Sequence, residues 1–206
     1  MRKRIQDPEP EKDRRGSSPV VFETGRLLVR AAQRRDAPFY LRLWTDPRVM
    51  VNVGFPQGLA ITSVEIETQI GRQVGGPLGR LLVVVLKSSG ETIGECKMYP
   101  PDEQGISETD VKLLPEHWGH HYGVEIKRGL LAYLFSRTDC RAVQATPNVE
   151  NTASIRMQEA VGGLRVGEGT YHFPESMQRF TRPVHHYVYR VYRQAWEEAQ
   201  DEERPG

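Results

Sequence analysis

The stretch Leu113-Leu114-Pro115-Glu116-His117-Trp118-Gly119-His120-His121-Tyr122-Gly123-Val124-Glu125 decides how this chain is read. A short apolar strand runs into a glycine-flanked turn, and the turn runs into a helix. From Val124 to Phe135 the residues Ile126, Leu130, Leu131, Leu134 and Phe135 share one helical side. A helix opening this way presents unpaired backbone N–H groups and the positive end of its dipole. That is a seat for a pyrophosphate.

Reading outward, Glu108 to Leu114 alternates, with Val111 and Leu113 on one face and Glu108, Asp110 and Lys112 on the other. Ala142 to Thr146 is the next strand, and Asn148-Val149-Glu150-Asn151-Thr152-Ala153-Ser154 follows it. Asn151 is placed to cap a helix that Gly162-Gly163 ends. Upstream, Arg26 to Arg30 reads as a strand and Asp36 to Trp44 as a helix stopped before Pro47. Thr62-Ser63-Val64-Glu65 has the form of a capping box. Leu81 to Leu86 is a strand buried on both faces, paired through the turn at Ser88 to Glu91 with Thr92 to Tyr99. Leu164 to Val166 and Val184 to Tyr192 close the pattern, leaving Gly167 to Pro183 as a long and therefore functional connection. The order is β-α-α-β-β-β-α-β-α-β-β, a mixed α/β sheet with helices on both faces.

Length allows one domain with a full core in 206 residues. Residues 1–19 are a charged, proline-bearing tail, 20–196 the domain, and 197–206 a second charged tail. A net charge of +1 gives no reason to expect nucleic acid or an anionic membrane as partner. No apolar run approaches the ~18 residues of a membrane span. The basic N-terminus has no apolar stretch after it and is not a secretory signal. Cys96 and Cys140 make neither a disulfide framework nor a zinc site, and a reducing cytoplasm fits them best. His120-His121 and His185-His186 resemble metal pairs, but neighbours on a strand point to opposite faces, so no metal is expected. The glycine spacing and the lack of Gly-Lys-Ser/Thr exclude P-loop and dinucleotide folds.

On three segments the chain resembles the GNAT superfamily of N-acyltransferases, and within it the RimJ/RimL-type branch. They are Thr24-Gly25-Arg26-Leu27-Leu28-Val29-Arg30, Trp44-Thr45-Asp46-Pro47-Arg48-Val49-Met50, and the block Glu108 to Glu125; Asn148-x-x-Asn151-x-x-Ser154 supports them. The resemblance implies a mostly antiparallel sheet with a splayed central strand pair, and acetyl transfer from acetyl-CoA to a primary amine. Residues 119–123 (Gly119, His120, His121, Tyr122, Gly123), with Trp118, would face the pyrophosphate, and Lys112, Leu113 and Leu114 would run beside the pantetheine arm. Asn148 and Asn151 would touch that arm, and Ser154 would sit by the thioester sulfur. Glu108 leads as the base, ahead of Asp110 and Glu95. In this sequence His121 stands where the family has a glycine, and Gln158 where many members have a tyrosine. The acceptor would be a protein N-terminus or a small-molecule amine, and a homodimer is allowed. From another class, a non-catalytic acyl-CoA sensor would use the same fold; His121 and Gln158 are the features that favour it.

Overall fold

A computed structural model of the chain describes residues 19–202. Its strands are β1 (Val20–Glu23), β2 (Leu27–Ala31), β3 (Leu82–Leu86), β4 (Thr92–Met98), β5 (Ile106–Leu113), β6 (Ala142–Ala145), β7 (Leu164–Tyr171) and β8 (Val184–Tyr192). Its helices are α1 (Ala37–Thr45), α2 (Pro47–Met50), α3 (Ser63–Arg72), α4 (Tyr122–Arg137), α5 (Thr152–Glu159) and α6 (Arg193–Glu202). The strands form one eight-stranded sheet in the order β1-β2-β3-β4-β5-β6-β8-β7. Every pairing is antiparallel except β5 with β6.

Apolar alternation explains why both faces are covered. On one face Leu82, Val84, Ile93 and Cys96 pack with Ile126, Leu130 and Leu134 of α4. On the other, Leu81 and Val83 pack with Tyr40, Leu43, Trp44 and Ile66 from α1 and α3. The capping box read at Thr62 is formed, with Thr62 and Glu65 bonding each other's backbone. Arg30 and Asp36 make a buried bidentate pair, both bonds 2.8 Å, that ties β2 to the start of α1.

Several elements lie beyond the sequence reading. β1 was not read, and α2 is a single short helix begun by Pro47 with Asp46 as its cap. β7 continues past Val166 to Tyr171, because its two glycines break the apolar pattern but not the pairing with β8. The connection is therefore 172–183. The charged segment expected to be a tail from residue 197 is helical through Glu202. Its anchor is the residues just before it: Arg193 donates to the carbonyls of Phe135, Thr138 and Cys140, and Trp196 packs on Phe135. The N-terminal tail through Ser18 and residues 203–206 lie outside the described residues.

Candidate active site

The parallel pair β5–β6 is short. Its rungs are Ile106↔Ala142, Ser107↔Val143 and Glu108↔Gln144, and there they stop. β5 runs on to Leu113, still paired with β4. The two strands part after residue 108 and leave a slot, the splayed pair expected at the centre of the sheet. Tyr99 N–H donates to Glu108 O and Leu114 N–H to Ile93 O, so the even-numbered residues of β5 spend their main-chain groups on β4. Alternation then turns those of Thr109, Val111 and Leu113 toward the slot. Of the three residues expected along the arm, Leu113 faces the slot; Lys112 and Leu114 do not, and Val111 was missed. The alternation at 108–114 alone could not give this, because the register with β4 decides which main-chain groups are free. The Leu113 carbonyl already accepts from the Trp118 indole at 2.9 Å.

At the mouth of the slot the chain turns into α4. His121 is the N-cap and takes φ 61°, the one non-glycine residue with positive φ among those described. This is the conformation for which a glycine is usual, and it costs a side-chain-bearing residue roughly 1–2 kcal/mol. Gly119 just before it has φ 80°. The N–H groups from Gly119 to Val124 find no partner among the described residues. A row of free amides at a helix N-terminus fits the diphosphate of a coenzyme. Gly123 lies on the inner side, where an added Cβ would stand 3.1 Å from Met157 Sδ, so glycine there lets α4 close on α5.

The opening motif supports this loop. Glu125 accepts from Thr24 Oγ1, from Arg26 N–H at 2.8 Å and from Arg26 Nε at 2.6 Å. Burial would raise its carboxyl pKa, but these donors outweigh burial and hold it below the usual range. Arg26 also donates to the His120 carbonyl and lies 4.5 Å over the Tyr122 ring. His120 stacks on the other partner of that cluster, Tyr122. This fastening was not foreseen, since its two halves are about a hundred residues apart.

Across the slot, Asn151 caps α5 through its bond from Ser154 N–H at 3.1 Å. Ser154 is half-buried in the first turn, and its hydroxyl has no partner among the described residues. Asn148 makes an Asx turn with Glu150 N–H and reaches Asn52 O. Gln158 is 2% exposed, and its side-chain oxygen has no partner among the described residues.

The face of the sheet toward α1–α3 carries the charges. Register sets Glu95 opposite Lys112 and Lys97 opposite Asp110. Glu95 is 1% exposed; its Oε1 accepts from Trp44 Nε1 at 2.9 Å and lies 3.2 Å from Lys112 Nζ, while its Oε2 has no partner among the described residues. Lys112 also pairs with Asp110. Burial opposes charge at both groups, yet their mutual attraction lowers the Asp110 pKa and raises that of Lys112. Glu108 is exposed at the last rung, and accepts from Gln144 Nε2 at 2.8 Å; Gln144 accepts in turn from Arg190. Gly54 beside α2 accepts from Arg182 N–H, and Phe55 meets Phe173 edge-on. The 172–183 connection therefore meets the segment that follows α2. His185 and His186 are neighbours on β8.

Residues 26–163 match the family model described as the acetyltransferase (GNAT) domain. Among curated relatives, a protein of Bacillus subtilis designated YkkB is 25% identical over 172 residues, 82% of this chain and 95% of its own length. An N-acetyltransferase of Bacillus licheniformis designated p20 is 26% identical over 147 residues, 70% of this chain and 82% of its own. Among solved structures, the spermidine N-acetyltransferase of Vibrio cholerae, determined with CoA and spermine, superposes with a TM-score of 0.69 at 19% identity. That match covers 84% of this chain and 98% of the other. At such identity it bears on the fold alone, which is the GNAT fold. Among the described residues no helix is long and apolar enough to cross a membrane.

Proposed function

This chain belongs to the GNAT acetyltransferase family, and we propose that it moves an acetyl group from acetyl-CoA to a primary amine by direct attack on the thioester. The observation that carries this reading is the slot ending in free amides: the main chain of Val111 and Leu113 faces it, and the N–H groups from Gly119 to Val124 wait at its mouth. One end suits a pantetheine arm, the other a diphosphate. Trp118, His120, His121, Tyr122 and Gly123 belong to that phosphate end. Lys112 and Leu114 act through their pairing with β4. Asn151 and Asn148 shape the wall across the slot.

Holding the thioester beside the amine supplies much of the rate. The amine must then lose a proton. Glu108 takes it: its carboxylate is exposed where the slot begins, and Gln144 fixes one oxygen. Glu95 is a second reading, carried by its buried, unpartnered Oε2. Ser154 donates to the sulfur as the thiolate leaves. A protein α-amino group, with pKa near 8, needs less help than a lysine near 10.4. The motifs at Thr24 to Arg30 and Trp44 to Met50 favour the RimJ/RimL-type branch, which includes enzymes that act on such N-termini. The small amines named for the Vibrio structural neighbour are the other acceptor class. Cys96 and Cys140 are both free and buried, in keeping with a reducing cytoplasm.

Thiol release measured over a panel of peptides and amines, spermidine included, tests the proposal. Turnover above the buffer rate on at least one acceptor is expected. A shift in melting temperature with CoA but no turnover on any amine would turn the reading to the sensor.

A further inference from the structure

A lysine lies under the point where the slot opens, and among the described residues no carboxylate is bonded to it. Lys127 of α4 is 1% exposed, and its ammonium nitrogen reaches Thr109 Oγ1 at 2.6 Å. The Thr109 hydroxyl in turn donates to the Gln144 carbonyl at 3.3 Å. Thr109 is the first residue of β5 beyond the last rung, Glu108↔Gln144. A side-chain hydroxyl therefore binds the carbonyl at the place where main-chain pairing ends. On the other face of the sheet Gln144 is held by Glu108 and Arg190 through its side-chain amide. The last residue of β6 that pairs with β5 is fastened from both sides.

A buried amine is costly. Burial pulls the Lys127 pKa down to about 7, against the opposing charge of Asp110. A methionine would fill the same space without that cost. What only the lysine provides is the bond to Thr109, in a chain where each hydrogen bond polarises the next. Costly polar groups of this kind gather at functional places in a fold.

We propose that Lys127 and Thr109 are positioning residues of the cofactor slot. Acting through the Gln144 carbonyl, they set where β5 and β6 separate and how widely. They thereby keep the Val111 and Leu113 main-chain groups in place for the thioester arm. The inference rests on reading the slot as the acetyl-CoA site.

The test uses the full chain and the variants Thr109→Val, Thr109→Ser and Lys127→Met. It measures the Kd of CoA by calorimetry, the Ki of pantetheine, the KM of the acceptor, and melting temperature. Pantetheine lacks the diphosphate, so it reports on the arm alone. Thr109→Val is expected to weaken CoA and pantetheine by the same factor of about ten, equivalent to one hydrogen bond. The acceptor KM should not change, and Thr109→Ser should recover most of the loss. Lys127→Met should weaken both ligands while melting no lower than the wild type. Wild-type affinity for both ligands in Thr109→Val overturns the proposal, whatever its melting temperature. So does a Thr109→Ser protein as weak as the valine variant. Wild-type affinity in Lys127→Met removes the lysine from the chain. If the unmodified protein binds neither CoA nor pantetheine, the slot reading itself fails and takes this inference with it.

Discussion

The two sides of the splayed strands are built from different material. The side at the loop is main chain: amides from Gly119 to Val124 without a partner among the described residues, a left-handed turn at His121, and strand edge groups at Val111 and Leu113. The face toward α1–α3 is side chain: Glu95, Lys97, Asp110, Lys112 and Glu108, set in order by the register of β4 and β5. Main-chain sites tolerate changes of side chain and suit a cofactor that never varies. Side-chain sites change with one substitution and suit an acceptor that does. Variants on the charged face should therefore change chemistry, and variants at the loop should change stability or cofactor affinity.

The sharpest break in that division would come from the carboxylates. Glu108→Gln is expected to lower kcat by roughly 100-fold with CoA affinity unchanged, the scale of a lost general base. The same substitution at Glu95 leaves Trp44 and Lys112 facing a neutral amide and should cost less in kcat. If the order is reversed, with Glu95→Gln the worse, the proton leaves toward the unpartnered Oε2. Equal and small losses would mean the charged face does not do the chemistry.

Lys127 tests whether a group behind the slot costs stability. Its folded pKa of about 7 lies below the ordinary 10.5. Between these values the unfolded chain binds the proton and the folded one does not, so stability rises with pH across that window. Lys127→Met should remove this slope. Its stability advantage over the wild type should grow as pH falls from about 10 to 7 and level off below. Urea melts at pH 9.5, 8 and 6.5 would show it. An advantage that does not depend on pH would mean the amine is charged in the fold.

Glu125 should matter less. It joins Thr24 and Arg26 to the helix, and its pKa is depressed once those donors have offset burial. A carboxyl depressed in the fold adds stability above its unfolded pKa and loses it as pH falls through the folded one. Glu125→Gln should cost roughly 1–2 kcal/mol at pH 7, and the gap should close in acid melts near and below pH 4. A gap that persists there would make the contribution one of packing rather than charge.

What could be read in the sequence follows the same division. The loop and α4 were legible because a glycine turn and an apolar stripe are local: one unbroken segment from Leu113 to Phe135 holds both. The slot was legible only through a resemblance, because the end of pairing after Glu108 depends on β6, some thirty-five residues away. The alternation of β5 did show which side chains share a face. It did not show which main-chain groups are free, since that needs the register with β4. The links Glu125–Arg26, Trp44–Glu95 and Lys127–Thr109 join distant segments, so no window of sequence contains them. At the C-terminus the acidic run from Glu197 hid a helix whose anchor is Arg193 and Trp196.

The smallest effect is the most discriminating. His121 holds a left-handed turn that glycine would adopt freely, so His121→Gly relieves backbone strain of roughly 1 kcal/mol. The glycine also loosens the unfolded chain by a similar fraction of a kcal/mol, so the net gain should be about 0.5 kcal/mol or less. If the loop binds through its amides, CoA affinity should stay within about two-fold of wild type, because the N–H at position 121 survives. His121→Val keeps the same N–H but puts a β-branched residue at φ 61°, which it resists. That variant should lose both stability and CoA affinity. A His121→Gly protein that bound CoA about ten-fold more weakly would show that the ring itself, not only the main chain, contacts the cofactor. The loop would then belong with the side-chain sites, and the division between the two regions would no longer run along the slot.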